Sequence, residues 1–189
     1  MNYKFLPYPR TERYTPRTAD YFIDGVDGEP LKWGNLNSDI YVDPISMNMS
    51  VVQRQSMTTV AYYEAEKGNL DKARKLIDLT KEMFPAKNFP HDVYSVYIYI
   101  GNGAYVDVVE LYRKLYGEEE AVALWEEAFR YYEEELTYLR QYKGEKMQGV
   151  RGKLQGDLQV VGLLGEIAQV TLHNEALADK AANLMGVAE

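Results

Sequence analysis

Four residues spaced through one 34-residue window limit the folds open to this chain more than any other feature. Counting from Arg54, the residues Ala61, Gly68, Ala73 and Pro85 fall at positions 8, 15, 20 and 32. Before Gly68, Met49, Val52, Ser56, Val60 and Tyr63 recur at steps of three or four, so one helix stripe is expected to face the core. Asp43 followed by Pro44 marks the start of that helix: an N-cap acceptor, then a proline where its missing N–H costs nothing. After Gly68, "NLDKARKLIDLTKEMF" sets Leu70, Ala73, Leu76 or Ile77, and Thr80 on the inward side of a second helix. Small side chains at 61 and 73 let two antiparallel helices approach closely. Gly68 ends the first helix and makes the turn, and Pro85 closes the unit.

This spacing is the tetratricopeptide pattern, with Met57 where that repeat prefers Trp and Glu64 where it prefers Tyr. A second copy reads through "HDVYSVYIYIGNGAYVDVVELYRKLYG", with Gly103 at the turn. Its alternating Tyr and Ile or Val would also suit a strand; the surrounding helices tip the reading to a Tyr-rich helix over 93–105. "EEEAVALWEEAFRYYEEELTYLRQY" is the clearest helix, with Glu118 to Glu120 at its positive N-terminus and a stripe of Leu124, Ala128, Tyr132, Leu136 and Leu139. Two more helices are expected over about 150–172 and 174–186. Residues 1–44 differ: they hold five of the seven prolines, and "YKFL" and "DYFI" suit short strands around an Asp- and Gly-rich turn, "DGVDGEP". The predicted fold is mainly α: tetratricopeptide-like stacked antiparallel helical hairpins over 45–189, preceded by an extended strap over 1–44, in one compact unit.

Composition excludes several functions. A net charge of −8 argues against a general nucleic-acid binder, which needs surplus Lys and Arg for phosphates. With no cysteine there is no disulfide framework, thiolate metal site or cysteine nucleophile. No apolar run reaches the roughly 18 residues of a membrane span. His91 and His173 are the only histidines and stand far apart, which favours capping and surface roles over metal or acid–base work. Asp24, Asp27 and Glu29 miss the spacing of a calcium loop and read as a turn. "GVRGKLQG" has two residues between its first glycines and Leu154 after Lys153, so it is not a phosphate loop. Gly149, Gly152, Gly156, Gly162 and Gly165 instead mark a helix face approached by another backbone. Glu133, Glu134 and Glu135 point about 100° apart along a helix and form a solvated face. Lys4, Arg10, Arg13 and Arg17, interleaved with tyrosines, read as a strap paired with the acidic helices. No catalytic residue, metal site or cofactor emerges.

One stretch concentrates recognition chemistry. "LKWGNLNSDIYVDP" gathers Trp33, Asn35, Asn37, Asp39 and Tyr41 within a few residues. The structural reading has Trp33 pinning the strap into a helix groove, with Gly34 allowing the bend and Asn35, Asn37 and Asp39 forming turns. The alternative reading is a carbohydrate site made of those same five side chains.

The same stretch carries a family resemblance. "YKFLPYP", then Lys32, Trp33, Gly34 and Leu36, then Ile40 to Asp43 and the helical hairpin, resemble the C-terminal tail of certain bacterial polytopic membrane proteins. These are of unknown function and have a protein O-mannosyltransferase-like, glycosyltransferase-type N-terminal half. The resemblance covers about residues 3–142, and the chain departs from it in carrying "SMNMSVVQRQ" where an Arg-rich helix start is usual. It implies a fragment lying on the extracytoplasmic (periplasmic) side of the inner membrane, attached through upstream spans, with any transferase carboxylates in the missing half. The expected function is therefore non-catalytic: an interaction or scaffolding module for a protein partner or acceptor polypeptide. Tyr94, Tyr97 and Tyr105 would line its groove. The alternative is a carbohydrate-binding module built on residues 33–41.

Overall fold

The computed structural model describes residues 16–25, 41–89, 91, 95–101 and 104–186. Among these the chain is mainly helical. Seven helices pack as adjacent pairs beside one small hairpin: α1 (Pro16–Asp24), α2 (Pro44–Glu66), α3 (Leu70–Met83), β1 (Tyr97–Gly101), β2 (Ala104–Asp107), α4 (Val108–Tyr116), α5 (Glu118–Leu139), α6 (Glu145–Val170) and α7 (Glu175–Gly186). Neighbours in the chain are neighbours in space: α2 packs on α3, α4 on α5, α5 on α6 and α6 on α7. The turn residues Asp27 and Glu29 lie outside the described residues, as does the basic segment up to Tyr14.

Helix α2 begins as its sequence requires. Asp43 Oδ1 accepts from the Ile45 and Ser46 N–H groups at 3.0 and 3.1 Å, and Ser46 Oγ donates to the other carboxylate oxygen. That hydroxyl, with the helix N–H groups, holds the Asp43 carboxyl below its ordinary value. At the far end Gly68 takes φ +86°, the left-handed conformation that suits glycine past a helix terminus. Glu64, itself buried, accepts from Asn69 Nδ2 at 2.8 Å and so braces the turn. Ala61 and Ala73 are fully buried, which is the close approach of α2 and α3 that their size permits.

The stripe expected on α2 is half misplaced. Val60 is buried, but Met49 and Val52 are 57% and 56% exposed, and the buried line runs through Ser50, Met57, Ala61 and Glu64. Length explains this. At 1.5 Å per residue the 14 residues of α3 cannot cover the 23 of α2, so the first turns of α2 project past their partner. Four polar residues, Ser50, Thr58, Thr59 and Glu64, are buried on α2 and disguise its inward side.

The segment read as a helix over 93–105 is instead the β1–β2 hairpin, which also removes the second tetratricopeptide copy. Tyr97 pairs with Asp107, Ile98 with Val106 and Tyr99 with Tyr105 in an antiparallel register. Alternation decides it. Val96 and Ile98 are buried, while Tyr105 is exposed, and β-branched and aromatic side chains fit a half-buried pleat. The Asn102-Gly103 dipeptide between the strands is a strong hairpin signal in its own right. Conversely, "DYFI" belongs to α1 rather than to a strand. Ala19, Phe22 and Ile23 join the core at helical spacing.

Helices α5 and α7 follow the sequence closely, whereas α6 begins at Glu145, about one and a half turns before the expected start at 150. Leu124, Ala128, Tyr132, Leu136 and Leu139 are all buried, together with Trp125 and Phe129. Glu133 and Glu134 are exposed, whereas Glu135 takes Lys153 of α6 at 2.6 Å. Only part of the glycine face is approached. A Cβ at Gly165 would meet Ala181 at 3.4 Å and one at Gly162 would meet Met185 at 3.6 Å, both on α7. At Gly149, Gly152 and Gly156 a Cβ would meet nothing within 4 Å, because α6 extends beyond the shorter α7. Alanine at each of these three positions should therefore stabilise the protein by up to about 1 kcal/mol, the helix propensity it regains. Gly165→Ala should gain less, since its new methyl presses on Ala181. Urea unfolding of the four single variants checks this order.

Candidate binding surfaces

Glu120, Ala123, Leu124 and Glu127 lie at i, i+3, i+4 and i+7 on α5, so they share one helix face. That face, with α2, α3 and α4, lines a half-open cavity of about 350 Å³. Helix α4 packs against both α3 and α5 and supplies Val108 and Tyr112. Its placement is fixed by long-range bonds: Arg74 Nε donates to the Leu115 carbonyl at 2.7 Å, and Tyr116 Oη donates to Asp78 Oδ1 at 2.8 Å. Helices α2 and α3 contribute Arg54, Thr58, Ile77 and Lys81, and Phe84 follows at the C-cap of α3. Arg54 Nη1 donates to the Phe89 carbonyl at 3.3 Å.

Charge is distributed unevenly around this space. Lys81 Nζ sits 4.8 Å from the Tyr112 ring centre and 4.9 Å from that of Tyr116, cation–π distances in each case. The Tyr112 phenol is raised above its ordinary range, first by burial and then by the carboxylates of Glu127, Asp78 and Glu120. Lys81 and Asp78 of α3 thus act on Tyr112 from one helix and Glu120 and Glu127 of α5 from another.

His91 lies where three cavities meet. Its side chain is 12% exposed, and Nε2 is 3.2 Å from Glu127 Oε1. The two are close, yet their directions miss hydrogen-bond geometry, and among the described residues neither buried ring nitrogen has a hydrogen-bond partner. A capping or surface role for His91 is thus corrected: the imidazole is an inward-facing polar group. His173 is exposed at the α6–α7 junction, with φ +48°. Among the described residues no group of three His, Asp or Glu side chains is arranged to hold a metal ion.

Helix α2 presents a second surface. Tyr41, Ile45, Met49 and Val52 are 87%, 76%, 57% and 56% exposed, and from Ile45 they recur at helical spacing. Asp107, at the end of β2, caps α4 by accepting from the Val109 and Glu110 N–H groups at 2.7 and 3.3 Å. Its other oxygen accepts from Thr171 Oγ1 at 2.6 Å, tying the hairpin to the end of α6.

Of the residues singled out in the sequence, Trp33, Asn35, Asn37, Asp39 and Tyr94 lie outside the described residues. The structure brings two of the others together: the rings of Tyr97 and Tyr105 stack at 5.5 Å with 21° between planes, from adjacent strands rather than from one helix. Tyr41 stands at the head of the α2 stripe. Arg54, Lys81, His91, Tyr112, Glu120 and Glu127 were missed as a group. The periodic placement of Glu120 and Glu127 about Ala123 and Leu124 was the one local sign of them. Among the described residues no helix is long and apolar enough to cross a membrane. No protein-family model matches this chain, and neither a curated protein nor a solved structure shows significant similarity to it.

Proposed function

We propose that this chain is a non-catalytic interaction module that docks a polypeptide, and that it serves a larger, glycosyltransferase-like membrane protein outside the cytoplasmic membrane. The supporting observation is the bare apolar stripe of Tyr41, Ile45, Met49 and Val52. Large apolar side chains clustered on one exposed helix face favour association, and i, i+4, i+7 is the spacing by which helices dock into grooves. From Pro44 to Gln53 α2 carries no charge, so a partner with an apolar surface meets no desolvated ion there. The membrane attachment and the larger protein come from the sequence resemblance at residues 3–142.

A second reading, carbohydrate binding, is favoured by the stacked Tyr97–Tyr105 pair, whose outer ring is 55% exposed. One experiment addresses both. Immobilised wild-type protein should capture a defined set of proteins from a cell-envelope extract, and Met49→Glu/Val52→Glu should lose them. Each buried apolar side chain contributes about 1.5–3 kcal/mol, so the pair should weaken capture by well over tenfold. Both positions are exposed, so the variant should fold normally. Equal capture by wild type and variant would overturn the docking reading. Capture abolished by enzymatic deglycosylation of the extract would favour the carbohydrate one.

A further inference from the structure

We infer that the cavity among α2, α3, α4 and α5 is a binding site for a small zwitterion, an α-amino acid with an apolar side chain. Three features lead there. The first is charge. The described lining holds two cations, Arg54 and Lys81, and two carboxylates, Glu120 and Glu127. The cations come from α2 and α3 and the carboxylates from α5. Lys81 and Glu120 form no ion pair within 4.0 Å among the described residues, although both face Tyr112. A simple anion would meet the two carboxylates, and a simple cation would meet Lys81 and Arg54. A net-neutral ligand with separated charges meets complementary groups at both ends.

The second feature is the unsatisfied imidazole of His91. Buried polar atoms are almost always hydrogen-bonded, and among the described residues its two nitrogens have only the misaligned contact with Glu127. A polar group of a bound ligand would satisfy one of them. The third is the apolar part of the lining, Ile77, Phe84, Val108 and Leu124, which suits an aliphatic or aromatic side chain. The volume, about 350 Å³, falls at the small end of ligand pockets and admits a single amino acid rather than a folded segment. In the resulting arrangement the ligand ammonium lies toward Glu120 and Glu127, and its carboxylate toward Lys81.

This site does not depend on polypeptide docking. Arg54 and Val52 are two residues apart on α2, about 200° around the helix, so the cavity and the apolar stripe lie on opposite sides. The test is calorimetric titration of the protein at neutral pH and low salt with L-leucine, L-methionine and L-phenylalanine. Two partial analogues of leucine, 3-methylbutylamine and 4-methylpentanoate, lack the carboxylate and the ammonium respectively. At least one amino acid should bind saturably, and both analogues should bind about tenfold or more weakly than leucine, each lacking one charge-assisted contact. Glu120→Gln and Lys81→Gln, at exposed positions that the fold tolerates, should each weaken amino-acid binding by a similar factor. No saturable binding of any of the three amino acids would overturn the assignment. So would analogues that bind as tightly as leucine, or affinities unchanged in both variants.

Discussion

Trp125→Ala is expected to lower the unfolding free energy by about 4 kcal/mol, the middle of the range for emptying a buried aromatic site. Trp125 is fully buried and stacks on Phe129 with ring centres 5.0 Å apart and planes 9° from parallel. Its Nε1–H donates to the Leu164 carbonyl at 2.7 Å, so one side chain joins α5 to α6. Lys180 of α7 lies 4.8 Å from the Phe129 ring and extends the same stack to a third helix. For a chain of this length each 1 kcal/mol moves the midpoint by roughly 2–4 °C, so the melting temperature should fall by about 8–16 °C. Trp125→Phe separates the two contributions. It keeps the stack and loses the hydrogen bond, while the Leu164 carbonyl retains its helical partner, so the cost should be nearer 1 kcal/mol plus a smaller volume term. Thermal and urea unfolding followed by circular dichroism measure both. Equal losses in the two variants would show that the hydrogen bond, and not the packing, carries the contribution of Trp125.

The second large effect belongs to Asp107, which caps α4 and accepts from Thr171. Asp107→Ala removes a cap of about 1 kcal/mol and a charged hydrogen bond of about 1.5–3 kcal/mol, partly offset by relief of a desolvated charge. A net loss of about 2 kcal/mol is expected. Asp107→Asn should be close to neutral, because its amide oxygen caps α4 and its N–H groups donate to Thr171. Acid titration distinguishes the two states of the native residue. Burial raises the Asp107 carboxyl above its ordinary value of 3.8, against the opposing pull of Thr171 and the Val109 and Glu110 N–H groups. Between 3.8 and that raised value the folded chain holds a proton that the unfolded chain has released. The folded state binds more protons there, so this group's contribution to stability falls as pH rises through the window. The stability of wild type minus that of Asp107→Asn, in which other carboxylates cancel, should therefore decline with rising pH from about 3.8 upward. A difference that stays flat or increases would contradict burial as the dominant influence on this carboxyl.

Much of the helical frame was readable locally. Asp43 and Pro44 announce α2 because capping is a contact between residues two or three apart, and Gly68 ends it because a left-handed turn needs no partner elsewhere. The α5 stripe was legible because both long sides of its apolar face are covered by neighbouring helices, so period and burial coincide. On α2 the two part company. Its first turns carry apolar residues on a side that the shorter α3 never reaches, and periodicity says only that a stripe exists, not whether a partner covers it. The glycine run in α6 shows the same limit. Identical residues at 156 and 165 differ only in whether α7 lies across them.

The site was less legible than the frame. His91 meets Glu127 from a loop distant in sequence, and Lys81 reaches Tyr112 across two different helices, so no spacing within either segment records the encounter. The residues singled out for their local density of aromatic and polar groups, Trp33 to Tyr41, were chosen on composition, and of them only Tyr41 falls among the described residues.

The amino-acid sequence by itself determined where α2 and α5 begin and end and which side of α5 is buried. Those features rest on caps, backbone conformations and periodicities set by residues within a turn or two of each other. The tertiary structure decided between helix and strand at residues 97–101 and 104–107, where the local pattern suited both, and it alone turned Met49 and Val52 outward and set cations of α2 and α3 opposite carboxylates of α5 around one cavity. Each of these depends on contacts between distant segments. Strand pairing and burial are stabilised by partners that a local pattern does not contain.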